Sequence, residues 1–163
     1  MKLPVSTEWL LHCATTLAQL EAGATASAAQ LARYYDLPAA YLAKQLQTLV
    51  KAGVLVATTG PRGGFRLGRQ PSEITLLHIV EAVDGAASPY ECREIRQHGQ
   101  GALPPEECRR TCVIAVKMAE AHEAWRRSLA EVSLGDILAT LSASVPSRTR
   151  TRLAGTNLDQ PTE

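Results

Sequence analysis

The sequence predicts a mainly α-helical fold that begins with a winged helix–turn–helix and continues into a cysteine-bearing loop and a long helix. Three observations support this prediction. Ala and Leu supply much of the apolar content and only 4% of the chain is aromatic, which favours helices over strands. Three segments with helical periodicity follow one another at the start. The period then changes to that of two short strands joined by the turn GPRGG.

Apolar spacing defines each element of the first half. In the first helix, Leu10, Cys13 and Leu17 recur at intervals of three and four residues and mark one buried face. The turn YYDLP separates the second helix from the third, and the segments VLVATT and FRLG form the hairpin. In order, the predicted elements are helices over 6–22, 27–35 and 39–52, strands over 54–59 and 65–68, and a helix over 75–85.

The third helix and the hairpin tip carry the residues that we expect to contact DNA. The second helix of a helix–turn–helix pair enters the major groove, and glycines at a hairpin tip let an Arg approach the minor groove. The alternative is a protein-binding module, because winged helices also serve that purpose. Tyr41 has a second interpretation, packing against the hairpin. The expected DNA-binding residues are Tyr41, Lys44, Gln45, Thr48, Lys51 and, at the hairpin tip, Arg62.

Charge and composition narrow the class of protein. Residues 1–70 hold seven Lys or Arg against three Asp or Glu, whereas residues 71–163 hold ten against thirteen. This basic first half suits contact with phosphates. Glu8 and His12 interrupt the apolar start, which argues against a signal peptide, and no apolar run matches a membrane span, so we expect a cytoplasmic protein. We expect no enzyme, because neither a nucleotide-binding glycine pattern nor a triad spacing is present.

The segment ECREIRQHGQGALPPEECRRTC, residues 91–112, contains three of the four cysteines. In a cytoplasmic protein, clustered cysteines more often serve metal or redox chemistry than structural disulfides. Cys92 and Cys108 are sixteen residues apart, and Cys108 and Cys112 only four. An iron–sulfur site, a thiol–disulfide switch and structural zinc are therefore the candidates. Cys13 lies on the buried face of the first helix and is expected to act as a small hydrophobe.

The order of motifs resembles that of the IscR/NsrR superfamily, dimeric bacterial winged-helix regulators of which many carry an iron–sulfur cluster. The resemblance covers about residues 1–140 and rests on LPAAYLAKQLQTLVKAGVLVATTGPRGGFRLGR, ITLLHIVEAVDG, the cysteine loop and a long helix ending in SLGDIL. It implies a homodimer and a palindromic operator. The predicted division is a DNA-binding domain at 1–85, a cluster-binding loop at 86–111, and a dimerisation helix and short final helix at 112–142. The polar composition of residues 143–163, with Pro and Gly, predicts a disordered tail.

The resemblance also implies ligands for a cluster. In the nitric-oxide-sensing branch, an acidic residue of the first helix ligates the cluster of the partner subunit, and Glu8 lies at that position. His12 is four residues further and therefore on the same helix face. The leading set for a [2Fe–2S] cluster is Glu8 and His12 of one subunit with Cys108 and Cys112 of the other, with Cys92 in reserve. Three cysteines with one ligand from the first helix, holding [4Fe–4S], are the alternative.

The expected function is that of a homodimeric repressor whose operator affinity follows the redox state of the cluster. Trp9 adjoins Glu8 and is expected to relay a change at the cluster to the DNA-reading helices. A nitric-oxide-sensing regulator with [4Fe–4S] is one alternative. A DNA-binding thiol or zinc switch without a cluster is the other.

Overall fold

Seven helices and one hairpin form the part of the chain that the computed structural model describes, residues 2–60 and 63–155. This arrangement confirms the mainly α-helical winged fold. The helices and strands are α1 (Val5–Ala18), α2 (Ala28–Tyr35), α3 (Ala39–Lys51), β1 (Leu55–Thr58), β2 (Gly64–Leu67), α4 (Leu76–Asp84), α5 (Val113–Ala130), α6 (Leu134–Thr140) and α7 (Ser144–Gly155).

The core lies where α1, α3 and α4 meet. Leu10 and Cys13 of α1 and Leu46 of α3 are fully buried, because each belongs to an apolar stripe with helical spacing. The core is not confined to residues 1–85. Leu134 of α6 and Leu153 of α7 belong to the same buried cluster, at 0% and 4% exposure. Segments distant in sequence therefore complete the DNA-binding domain.

The hairpin is attached to the segment just before α2 by a second, short backbone pairing. Strands β1 and β2 are antiparallel, with Leu55 opposite Leu67. Beyond them, Ala26 and Phe65 exchange both backbone hydrogen bonds, at 3.0 and 2.8 Å. Gly64 adopts φ +154°, and a Cβ there would lie 2.7 Å from the backbone carbonyl of Ala26. Only glycine allows the wing this close to α2.

Helices α4 and α6 begin side by side, although the chain between them leaves the domain. Each starts with a capping box, Thr75 with His78 and Ser133 with Asp136. A bridge joins the two caps: the amide of Leu76 donates to the Val132 carbonyl at 2.9 Å, and that of Leu134 to the Ile74 carbonyl at 2.8 Å. Residues 76–132 are thus an excursion that departs from and returns to this bridge.

Two predicted boundaries were wrong. The first helix ends at Ala18 rather than residue 22, because the chain turns before Gly23, which adopts φ +82°. The tail expected to be disordered forms α7 over Ser144–Gly155, because Thr149 and Leu153 bury one side of it against the domain. The rest of that tail lies outside the described residues. No helix of the described chain combines the length and hydrophobicity needed to cross a bilayer.

Candidate functional site

The recognition helix α3 presents a polar face opposite its buried leucines. Lys44 and Lys51 are exposed as expected, and Gln47, which was not among the expected residues, is exposed beside them. Gln47 follows Lys44 by three residues, so helical spacing from Lys44 could have identified it. Gln45 and Thr48 are half-buried, and the Thr48 hydroxyl donates to the Gln45 carbonyl at 2.6 Å; Arg62 at the hairpin tip lies outside the described residues.

Tyr41 joins the recognition helix to α1. Its ring meets that of Trp9 edge-on, with centroids 5.7 Å apart and an interplanar angle of 88°. This arrangement is favourable for two aromatic rings. Tyr41 is nevertheless 48% exposed, so it also remains available on the outer side of α3. The partner of Tyr41 is therefore Trp9 rather than the hairpin considered in the sequence analysis.

Glu8 and His12 both lie on the exposed side of α1, one turn apart. They line a cavity of about 240 Å³ together with Trp9, Tyr35 and Leu37. The ring of His12 lies 5.9 Å from that of Tyr35, whose hydroxyl hydrogen-bonds Thr16 at 2.6 Å. Glu8 and His12, two of the predicted ligands, thus lie in one recess that is open to solvent. Trp9, which contacts Tyr41 of α3, lines the same recess.

Cys112 occupies the N-cap of α5 and is 9% exposed. The backbone amides of Ala115 and Ile114 at the start of α5 lower the pKa of its thiol, and the neighbouring Cys92 and Arg96 act in the same direction. The N-terminus of a helix stabilises a thiolate in this way. Cys92, the reserve ligand, therefore lies close enough to Cys112 to influence the pKa of its thiol. Cys108 is half-buried in the same loop.

Arg96 organises the cysteine loop. It forms an ion pair with Glu94, where its Nη2 donates to Oε2 at 2.7 Å. The same Nη2 donates to the Arg110 carbonyl at 3.0 Å, and the Arg96 carbonyl accepts from the Leu103 amide at 2.7 Å. The guanidinium lies near enough to Cys108 and Cys112 to interact with both sulfurs electrostatically. An excess of positive charge beside thiolates favours their ionised form.

A single chain does not assemble the predicted ligand set. In residues 2–60 and 63–155, no three side chains of His, Cys, Asp or Glu come together in a way that could hold a metal ion. Within the described chain, Cys92 lies near Cys112 in the loop, and Glu8 and His12 line one recess beside α1.

Helix α5 has no buried residue over its 18 positions. Four of its apolar side chains are 39–70% exposed: Val113, Ile114, Val116 and Met118. The helix is fixed to the domain from one side only, where Arg126 forms an ion pair with Glu81 of α4 and donates to the Ala86 carbonyl at 3.3 Å. An amphipathic helix with its apolar stripe in solvent offers a surface for association.

The winged fold and the exposed polar face of α3 define a class, the winged helix–turn–helix transcriptional regulators that bind DNA. Comparison with known families is more specific. The model of the Rrf2 family, described as an iron-dependent transcriptional regulator, matches residues 3–140, so the chain belongs to the Rrf2 family. The resemblance to the IscR/NsrR superfamily is thereby confirmed.

Individual relatives agree with this membership. The chain is 29% identical over 139 residues to YwgB of Bacillus subtilis (strain 168), a candidate HTH-type transcriptional regulator, covering 85% of each chain. It is 29% identical over 138 residues to the HTH-type transcriptional regulator NsrR of Geobacillus kaustophilus (strain HTA426), covering 85% of this chain and 90% of NsrR. The fold matches that of CymR (YrzC), the global cysteine regulator of B. subtilis, with a TM-score of 0.66 at 22% identity over 87% of this chain and 99% of CymR.

Proposed function

We propose that this Rrf2-family regulator is a cytoplasmic homodimeric repressor whose affinity for a palindromic operator depends on the redox state of an iron–sulfur cluster, of the [2Fe–2S] type. By resemblance, the proposal takes the redox sensor RsrR of this family as its pattern. The proposed ligands are Glu8 and His12 of one subunit with Cys108 and Cys112 of the other, and Cys92 is the reserve. No catalytic activity is part of this proposal.

One observation carries the proposal: the recess that holds Glu8 and His12 is bounded by Trp9, and Trp9 touches Tyr41 of the recognition helix. Donor groups on α1 are therefore one side chain away from the element that reads DNA. A shift of Trp9 that broke this edge-on ring contact would change what holds Tyr41 of α3 in place. Such a shift would change the position of α3 relative to its symmetry mate, on which operator affinity depends.

The donor groups suit an iron–sulfur centre. A bound cluster would supply a change of one unit of charge on reduction. The loop provides soft sulfur donors, with the Cys112 thiolate stabilised by the first amides of α5, and α1 provides an imidazole and a carboxylate. Arg96 offsets the negative charge of the sulfurs. The exposed apolar stripe of α5 supports the dimer that would bring these groups together.

Anaerobic purification followed by absorption and EPR spectroscopy, before and after dithionite, tests the proposal. The wild type is expected to be coloured and to give a reducible signal. The double variant Glu8→Ala/His12→Ala is expected to lose or alter that signal, because it removes both donors of α1. The matched control is Glu21→Ala/Glu131→Ala, which removes two exposed carboxylates outside both α1 and the cysteine loop.

Two results would contradict the proposal. A colourless wild type that contains zinc or no metal would exclude a cluster. Identical spectra for the two double variants would exclude ligands from α1. The control of transcription is tested separately: operator affinity is measured for oxidised, reduced and metal-free protein, and equal values for all three would refute redox control even in a cluster-containing protein.

A second candidate is favoured by the proximity of Cys92 to Cys112. Two neighbouring thiols, one with a lowered pKa, are suited to a thiol–disulfide switch or to zinc. The colour of the anaerobic protein separates this candidate from the first. A nitric-oxide-sensing [4Fe–4S] centre that uses all three loop cysteines is a variant of the first candidate, and the shapes of the absorption and EPR spectra distinguish it.

A further inference from the structure

Helix α7 lies beyond residues 3–140, which the family model covers, and it has an unusual charge. Its twelve residues, Ser144–Gly155, contain three arginines and no acidic residue. A helix of this charge is a candidate for contact with an anionic partner. The question is whether the helix is held firmly, and where its charge is presented.

Three hydrogen bonds hold α7 on the DNA-binding domain. The Thr149 hydroxyl donates to Gln19 Oε1 at 2.8 Å, and Arg150 Nη1 donates to the Gln19 carbonyl at 3.1 Å, so both bonds lie at the end of α1. Gln30 Nε2 in the first turn of α2 donates to the Leu153 carbonyl at 3.3 Å. The side chains of Thr149 and Leu153 are buried, at 3% and 4% exposure. Helix α7 is therefore a fixed part of the domain.

The remaining two arginines face solvent together. Arg148 and Arg152 are exposed and four residues apart, so their side chains project from one face about one turn apart. Each immediately precedes a buried residue, which places the pair at the edge of the buried stripe. No carboxylate in the described part of the chain forms an ion pair with either of them.

The end of α7 lies beside the part of the domain that meets the DNA backbone. In a helix–turn–helix the first helix of the pair crosses the backbone, and helix N-termini contribute amide contacts to phosphates. Here that helix is α2: its first turn contacts α7 through Gln30, and Ala26, just before its N-cap, pairs with Phe65 of the wing. The wing and α7 are thus both attached to the N-terminal end of α2.

We propose that α7 is an additional DNA-binding element, in which Arg148 and Arg152 contact backbone phosphates that flank the operator half-site. The contact is to phosphate and therefore independent of base sequence. It lengthens the duplex that each subunit covers beyond the segment read by α3 and the wing. The inference goes beyond the proposed cluster function and rests only on the DNA binding of the family.

The test compares charge removal with charge conservation. Arg148→Gln/Arg152→Gln removes two charges, whereas Arg148→Lys/Arg152→Lys keeps them and is the matched control. The probes are a duplex operator selected from a random-sequence library with the wild type, in a form trimmed to the selected site and in a form extended by ten base pairs on each side. Binding is measured by fluorescence anisotropy across a salt series, and circular dichroism checks that each variant is folded.

On the extended duplex, the Gln variant is expected to lose tenfold or more in affinity at low salt. The slope of log K against log salt should fall by about 0.9 for each lost phosphate contact. The Lys variant should retain most of the affinity and slope, and the trimmed duplex should hardly distinguish the three proteins. Equal slopes for wild type and Gln variant on the extended duplex, or equal losses on both duplexes, would overturn the proposal. Because only metal-free wild type and variants are compared, the result is independent of the cluster.

Discussion

Gly64→Ala tests how the wing is held on the domain. A Cβ at this position would lie 2.7 Å from both the carbonyl carbon and the oxygen of Ala26, and φ is +154°. Backbone atoms cannot move aside as the end of a flexible side chain can, so the two hydrogen bonds between Ala26 and Phe65 must break or stretch. Each contributes about 1 kcal/mol net, and the unfavourable φ costs about 1 kcal/mol or more. The expected loss in unfolding free energy is therefore about 3 kcal/mol.

Urea denaturation measures this loss, and a thermal scan should give a decrease in Tm of roughly 10 °C for a chain of this size. DNA affinity should fall as well, since the wing loses its attachment to α2. Gly101→Ala is the control, because a Cβ there meets nothing within 4 Å and its φ is not positive. An unfolding free energy for Gly64→Ala within about 0.5 kcal/mol of wild type, inside the range of ordinary surface substitutions, would refute the reasoning.

Three further predictions concern α7, the excursion and the thiols. Leu153→Ala removes three buried carbons, so it should cost about 2 kcal/mol and let trypsin cleave α7 faster; an unchanged cleavage rate would mean that α7 is not docked. Glu81→Gln weakens the partly buried pair with Arg126 and should lower the unfolding free energy by about 1 kcal/mol, measured with urea. In the reduced, metal-free protein, the alkylation rate of Cys112 should reach its half-maximum below pH 9, because its thiol pKa is lowered and only thiolate reacts. Cys13 should stay unmodified there, since burial raises its pKa to about 12, and mass spectrometry of peptides separates the two.

Local patterns predicted the elements of the DNA-binding half. Helix α3 was recognisable because Leu42, Leu46 and Leu49 repeat at helical spacing, and the wing because the period changes after Gly53. Such signals depend only on neighbours in sequence. The exposed face of α3 was predicted less well: it includes Gln47, while the Thr48 hydroxyl is engaged by the helix's own backbone.

Contacts between distant residues could not be predicted in the same way. Helix α7 has the composition of a disordered tail, and what orders it is the burial of Thr149 against Gln19, 130 residues away. The proximity of Cys92 to Cys112 depends on a loop that is rich in Gly and Pro and shows no apolar periodicity. Arg96 holds this loop through its hydrogen bond to the Arg110 carbonyl. The proposed pairing of Glu8 and His12 with loop cysteines stays a prediction, since it concerns two chains and one chain cannot test it.

The bridge between the starts of α4 and α6 means that the DNA-binding domain includes residues on both sides of the cysteine loop. This arrangement sets the order in which a growing chain can complete its structure. Domains generally fold from the N-terminal end during synthesis. When residues 1–112 have emerged from the ribosome, the three loop cysteines are already in solution, but Leu134 and Leu153, two members of the buried cluster, have not yet emerged. The thiols are thus available to metal ions and oxidants before the DNA-binding domain can complete its core. The cysteine loop is therefore exposed to the redox conditions of the cell before the protein is able to bind DNA.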